Sequence, residues 1–283
     1  MYEDRVDPRR GSGRYALRLR SRRAGPSESL GGMMLIACST LCFTSVSMTE
    51  AVKRMRDMQF THIDLAIHES GPHLKPSELT ADPARTAVRL RAEGLPYAAF
   101  HFVPAEPNGA KAQKELQAVT RLARNLSVAT VTTTVGMDMD AETVRFQDWV
   151  NIAEQDGIIL TVETNAEGLT VDPNAAVELC RRVPGLGLTL DPSHYTCGRD
   201  SEANYDCLYR YVRHVRLRDT GPRPDEFQVR IGQGTLEYAK LLHGLEKFRY
   251  DRTLTVDVRD ISDSAFAVEP EVRKLKYLLE SLI

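Results

Sequence analysis

From Met34 onward, short apolar runs alternate with amphipathic stretches, and this limits the fold of the 283-residue chain more than any other feature. The runs lie at 34–38, 62–67, 96–102, 128–135, 158–164, 186–191, 213–218 and 252–258. Runs of roughly four to eight apolar residues bounded by turn residues read as strands. Between them lie helix signals. Ser47 or Thr49 can cap a helix running to about Met58, and Asp82-Pro83 opens the next with Pro at an early helical position. Residues 110–126 are rich in Ala, Lys, Gln, Leu and Arg, all good helix formers. Asp172-Pro173 opens a helix that ends at Pro184-Gly185, and 235–247 and 269–282 complete the set. Alternating strands and helices imply parallel strands with crossover helices. About eight such units over roughly 250 residues match a (β/α)8 TIM barrel of the α/β class. A doubly wound open sheet would carry a glycine-rich phosphate loop after its first strand. Here that position reads Ser39-Thr40-Leu41-Cys42-Phe43, with no glycine.

The barrel is expected as a single domain over 33–283. Residues 1–32 differ from it, with eight arginines against four acids. A disordered, solvated Arg-rich leader is expected there, or a translation start placed too early, since Met33 and Met34 directly precede the first strand. Glu3, Asp4 and Asp7 argue against a transit peptide. The whole chain has a formal net charge of -2, which counts against a nucleic-acid partner. Hydrophobic residues make up 42%, enough for a packed core and too many for general disorder. No apolar run approaches the roughly 18 residues of a membrane span. The five cysteines are irregularly spaced and form no CxxC, so neither a disulfide framework nor a zinc ribbon is expected and the compartment reads as cytoplasmic.

Strand parity locates the chemistry. Side chains two apart share a face of a strand. Leu160 and Val162, Leu188 and Leu190, and Leu254 and Val256 form greasy faces that suit the helices. Thr161 and Glu163, Thr189 and Asp191, and Thr255 and Asp257 then point into the barrel. Each acid sits near the C-terminal end of its strand, where TIM barrels place their active sites. Converging carboxylates need a cation, a shared proton or a basic partner. The seventh strand supplies His214, Arg216 and Arg218 on its inward face, with His214 about 6.6 Å deeper than Arg216. Asp64 and His68 share a face of the second strand and are weaker candidates. His101 and His194 fall at mouth positions, whereas His62, His73 and His243 read as surface or helix residues.

These pieces carry a resemblance. Val162-Glu163-Thr164-Asn165, Leu190-Asp191-Pro192-Ser193-His194, His214-Val215-Arg216-Leu217-Arg218-Asp219, Ile231-Gly232-Gln233-Gly234 and Leu254-Thr255-Val256-Asp257-Val258 follow one another in specific order. Over roughly 34–282 the chain resembles the xylose isomerase-like TIM-barrel superfamily, which holds sugar isomerases and epimerases and the endonuclease IV group. The resemblance implies a sugar, sugar-acid or sugar-phosphate isomerase or epimerase that moves a proton α to a carbonyl. Glu163 and Asp257 take the positions of the family's paired acid and base, and His194, Arg216, Arg218 and His101 those of substrate contacts. The family's metal set maps onto Glu163, Asp191 and Asp257, but its strand-seven histidine is Arg216 here. Gln228 stands where the endonuclease branch has a histidine ligand.

Two outcomes follow for the cofactor. Either Glu163, Asp191, Asp257 and Gln228 hold a Mn, Mg or Co ion, or Arg216 replaces it by pairing with the carboxylates. Loss of the metal site would suit a repurposed member that binds a small ligand without turnover. An endonuclease IV-like phosphodiesterase ranks behind both, because the barrel carries more acids than bases and lacks that branch's histidine ligands. A small carbohydrate or sugar acid is the expected partner, and the fold is compatible with a homo-oligomer.

Overall fold

The computed structural model describes residues 34–197, 204–261 and 264–283. The leader expected over 1–32 lies outside them. Eight parallel strands close a barrel in sequence order. They are β1 (Leu35–Ser39), β2 (Ile63–His68), β3 (Tyr97–Val103), β4 (Thr130–Thr133), β5 (Ile159–Glu163), β6 (Gly187–Leu190), β7 (Val212–Leu217) and β8 (Thr253–Val256). The helices are α1 (Met48–Asp57), α2 (Pro76–Ala81), α3 (Pro83–Ala92), α4 (Ala110–Asn125), α5 (Met139–Gln155), α6 (Pro173–Arg182), α7 (Ser193–Thr196), α8 (Tyr238–Lys247) and α9 (Val268–Glu280). Among the described residues no helix is long and apolar enough to cross a membrane.

Local chemistry starts the helices where the sequence signals it. The Ser47 hydroxyl accepts from the Glu50 amide to cap α1, and Asp82 and Asp172 cap α3 and α6 ahead of a first-turn proline. Three helices, α2, α5 and α7, go beyond the sequence reading. The short α2 starts on Pro76, and the 17-residue α5 is capped by Asp138, which accepts from two backbone amides. The region between β6 and β7 holds only α7 and a 3-10 turn at 206–211 among its described residues.

The apolar core lies between barrel and helices, where Leu65, Phe100, Val131, Leu160, Leu188, Val215 and Leu254 are buried. The interior of the barrel is polar instead. Thr161 and Thr189 hydroxyls lie 2.7 Å apart, and each lies within 3.0 Å of the Thr132 hydroxyl. His214 bridges Thr132 through Nδ1 at 3.3 Å and Thr255 through Nε2 at 2.8 Å. Branched apolar side chains usually fill these layers. This hydrogen-bonded floor sits one layer below the strand ends and faces the ionic groups above it.

Candidate functional site

Glu163 ends β5, while Asp191, Arg218 and Asp257 each follow the last residue of β6, β7 and β8. Parallel registry therefore brings them to one end of the barrel, as parity predicts. The Asp257 amide still donates to the Leu217 carbonyl at 2.8 Å, which fixes its backbone against β7. All four, with Asp64 and Arg216, are buried.

Two guanidiniums organise this layer. Arg216 reaches Asp64 through Nε at 3.4 Å, Glu163 through Nη1 at 3.4 Å, and Asp257 and the Ser39 hydroxyl through Nη2 at 3.0 and 2.9 Å. Arg218 pairs with Asp191 through Nη1 at 2.7 Å and with Asp257 through Nη2, and donates from Nε to the Asp257 carbonyl at 3.1 Å. A third cation comes from Arg259, two residues beyond Asp257. Its Nε donates to Asp257 at 3.3 Å, and its Nη2 lies 3.9 Å from Glu163. Four buried carboxylates thus meet three guanidiniums. Burial alone would raise the Asp257 pKa, but Arg216, Arg259 and Arg218 outweigh it and hold the group well below the usual carboxylate range.

Glu163 has a second environment. Its Oε2 lies 3.3 Å from His101 Nε2, and His101 Nδ1 lies 2.9 Å from His68 Nε2. Burial pushes the His68 pKa down to about 2, so this ring is neutral at physiological pH. One ring nitrogen of this pair donates to the other, and His101 Nε2 faces the carboxylate. Burial would raise Glu163, but His101, with Arg216 and Arg259, keeps it well below the usual range. His68, at the far end of this line, is only partly buried.

His194 completes the mouth. Its Nδ1 accepts from the Ala166 amide at 3.2 Å, so a neutral ring carries its proton on Nε2, which is 3.7 Å from Asp191. Burial lowers its pKa. The Phe227 ring lies 4.7 Å from the His194 ring and 4.8 Å from the Arg218 guanidinium.

The structure redistributes several expected roles. Arg216 and Arg218, expected to touch substrate, are 0% exposed and face carboxylates. Gln228, expected as a metal ligand, uses its amide on the backbone of Arg259. Its Oε1 accepts from the Arg259 amide at 2.6 Å and its Nε2 donates to the Arg259 carbonyl at 3.0 Å. His73, expected at the surface, is buried beside the Val46 carbonyl at 3.2 Å. Asp64, a weak candidate by sequence, is a full member of the ionic layer. Arg259 and Ser39 escaped notice, although the inward parity of β8 extends to 259 and that of β1 to 39.

The residues do not fit a divalent cation among Glu163, Asp191 and Asp257. Each of these carboxylates has a guanidinium nitrogen within 3.4 Å, and guanidinium offers no lone pair to a metal. Among the described residues no group of three or more His, Cys, Asp or Glu is arranged to hold a metal ion.

Comparison with known proteins places this architecture. Among solved structures, a xylose isomerase-like TIM barrel protein from Mycobacterium smegmatis, in complex with magnesium, superposes with a TM-score of 0.70 at 18% identity, covering 88% of this chain and 96% of that one. A D-allulose 3-epimerase from Methylomonas sp. superposes with a TM-score of 0.68 at 14% identity, covering 89% and 99%. At such identities the likeness is one of fold. An uncharacterized protein of Methanocaldococcus jannaschii is 27% identical over 128 residues, and the match spans 43% of that relative and 42% of this chain. The family model described as xylose isomerase-like TIM barrel matches residues 52–278, so the chain belongs to that family.

Proposed function

We propose that the barrel mouth moves a proton α to the carbonyl of a small carbohydrate, an isomerase-type reaction with Glu163 as the base. The observation that carries this reading is the line from partly buried His68 through His101 to buried Glu163, at 2.9 and 3.3 Å. It holds the carboxylate ionised and places two titratable rings between it and the solvent side. Glu163 takes the α-proton, the C–H electron pair becomes the double bond of an enediolate, and the carbonyl π pair moves onto oxygen. The same carboxyl returns the proton to the neighbouring carbon. A hydroxyl proton crosses between the two oxygens, and His194, protonated on Nε2 at the mouth, is placed to exchange it.

Asp257 was expected as a second acid or base on the opposite substrate face. With guanidiniums on both oxygens, its part in this proposal is to hold Arg216 and Arg218 in place. A single carboxyl assigned to proton transfer favours isomerisation, in which the proton leaves and returns on one face, over inversion by two groups. The same pairing neutralises strand seven internally, so an uncharged sugar suits the mouth better than a sugar acid or sugar phosphate. The family and the likeness to a D-allulose 3-epimerase support the substrate class.

A second reading, ligand binding without turnover, is favoured by the same immobilised Asp257. A set of aldoses and ketoses including D-allulose, incubated in D2O with EDTA and followed by proton NMR, separates the two. The isomerase reading predicts exchange of one carbon-bound proton, slowed roughly 10²- to 10⁴-fold by Glu163→Gln. Exchange that ignores this substitution refutes the assignment, and saturable sugar binding with no exchange favours the second reading.

A further inference from the structure

Arg259 differs from the other two arginines of the layer in ways the expected chemistry does not explain. Its side chain is 33% exposed, against 0% for Arg216 and Arg218. Among the described residues its guanidinium makes one hydrogen bond, from Nε to Asp257 at 3.3 Å. Its Nη2 stands 3.9 Å from Glu163, beyond hydrogen-bonding reach, and among the described residues its Nη1 has no acceptor. A guanidinium presents five N–H donors in a rigid fork. The outer edge of this fork therefore faces the open side of the ionic layer, directly beside the proposed base.

Its backbone is held unusually well for a residue past a strand end. The Gln228 side chain brackets residue 259 as a strand neighbour would, with one accepted and one donated hydrogen bond. Gln228 is itself held by its loop. The Asp219 carboxylate accepts from its own neighbour Thr220 and from the amides of Gly232 and Gly234, at 3.0, 2.6 and 3.1 Å. Asp219 and Val229 form a backbone bridge. The Thr220 hydroxyl also donates to the Phe227 carbonyl at 3.0 Å, so the loop is tied to the end of β7 on both sides of Gln228. Phe227, the preceding residue, gives the mouth an apolar wall against His194.

We infer that Arg259 is the residue that receives the substrate's developing oxyanion, and that Gln228 positions it. The inference rests on the proton-transfer reading of Glu163. Charge balance favours it: when Glu163 takes up the α-proton its negative charge disappears, and the charge reappears on the substrate oxygen. The guanidinium held between Glu163 and solvent then faces the new anion, with Nη1 and Nη2 free to donate a paired contact.

Glycolohydroxamate is a suitable probe. Its hydroxamate group sets two adjacent oxygens in a plane, the shape of an enediolate. Binding is measured by calorimetry on the full chain, with EDTA present so that metal chelation contributes nothing. The expected result is saturable binding that weakens at least about tenfold in Arg259→Gln and less in Arg259→Lys, which keeps the charge and loses the fork. Gln228→Ala should weaken binding in the wild-type background and have no further effect in Arg259→Gln, since it acts through that residue. Melting curves confirm that each variant is folded. No binding to the wild type, equal affinity in Arg259→Gln, or a Gln228→Ala effect that persists without Arg259 would each overturn the inference. Arg259-dependent probe binding with no sugar exchange in D2O would refute the isomerase reading and, with it, the oxyanion role, leaving Arg259 as a ligand-binding residue only.

Discussion

Arg216 is the residue on which the site turns. A large cation with no exposure is tolerable only where its charge is met, and here Asp64 of β2, Glu163 of β5 and Asp257 at the end of β8 meet it. Arg216→Ala should therefore destabilise the fold by about 3–5 kcal/mol, because it strands charges already removed from water. Urea unfolding would show this, with Arg216→Lys recovering only part of the loss, since a point charge cannot bridge three acids. Parity made most of this layer legible: Glu163, Asp191, Asp257, His214, Arg216 and Arg218 all point where alternation puts them. The partners of the two arginines were less visible. Asp64 of β2 meets Arg216 of β7 across the barrel interior, three strands away around the closed sheet, a contact that strand order alone does not show. Arg259 lay past the end of the counted strand, and Gln228 looked like a ligand because its position in the loop, not its contacts, was all the sequence offered.

At the scale of elements, the loop between β7 and α8 shows what its Gly-x-Gly is for. Gly232 has φ of 85°, in the left-handed region that favours glycine. A Cβ at Gly234 would lie 2.1 Å from Asp219 Oδ1 and 2.6 Å from the Thr220 carbonyl. Neither can move without releasing the turn, so Gly234→Ala should cost about 1–3 kcal/mol in urea unfolding. It should also weaken probe binding as Gln228→Ala does, since the loop carries the clamp on Arg259. The helices divide along similar lines. Those with a capping residue and a clean apolar stripe were legible, while α5 was not. Its buried Phe146, Trp149, Val150 and Ala153 are accompanied by an exposed Val144, which blurs the one-sided pattern that marks a helix in sequence.

For the whole molecule, the barrel followed from the alternation of elements, because a right-handed crossover repeated eight times closes on itself. Its polar interior has a consequence for stability. His214 lies buried in the threonine floor, and burial is the first cause that brings its pKa from 6.5 down to about 4. The unfolded chain would protonate this histidine where the folded one does not, so stability is full above about pH 6.5 and falls as pH drops toward 4. The loss from His214 alone is on the order of 3 kcal/mol. Denaturant titrations between pH 7 and 4 should show this decline, and His214→Asn should flatten it. Glu163 and Asp257, both held low, add a further loss that begins as pH falls through the ordinary carboxylate range and continues below it.

The central claim is that guanidiniums, and not a divalent ion, neutralise the carboxylates at the barrel mouth. Metal content of the purified full chain, together with its melting temperature in Mn2+ and in EDTA, tests this most directly, beside the variant Arg216→His. The account predicts no retained ion and no shift of the wild-type melting temperature between the two conditions. In the variant, which frees carboxylates and adds an imidazole, Mn2+ should bind and raise the melting temperature. A wild-type chain that retains a stoichiometric ion, and melts earlier once EDTA removes it, would contradict the account.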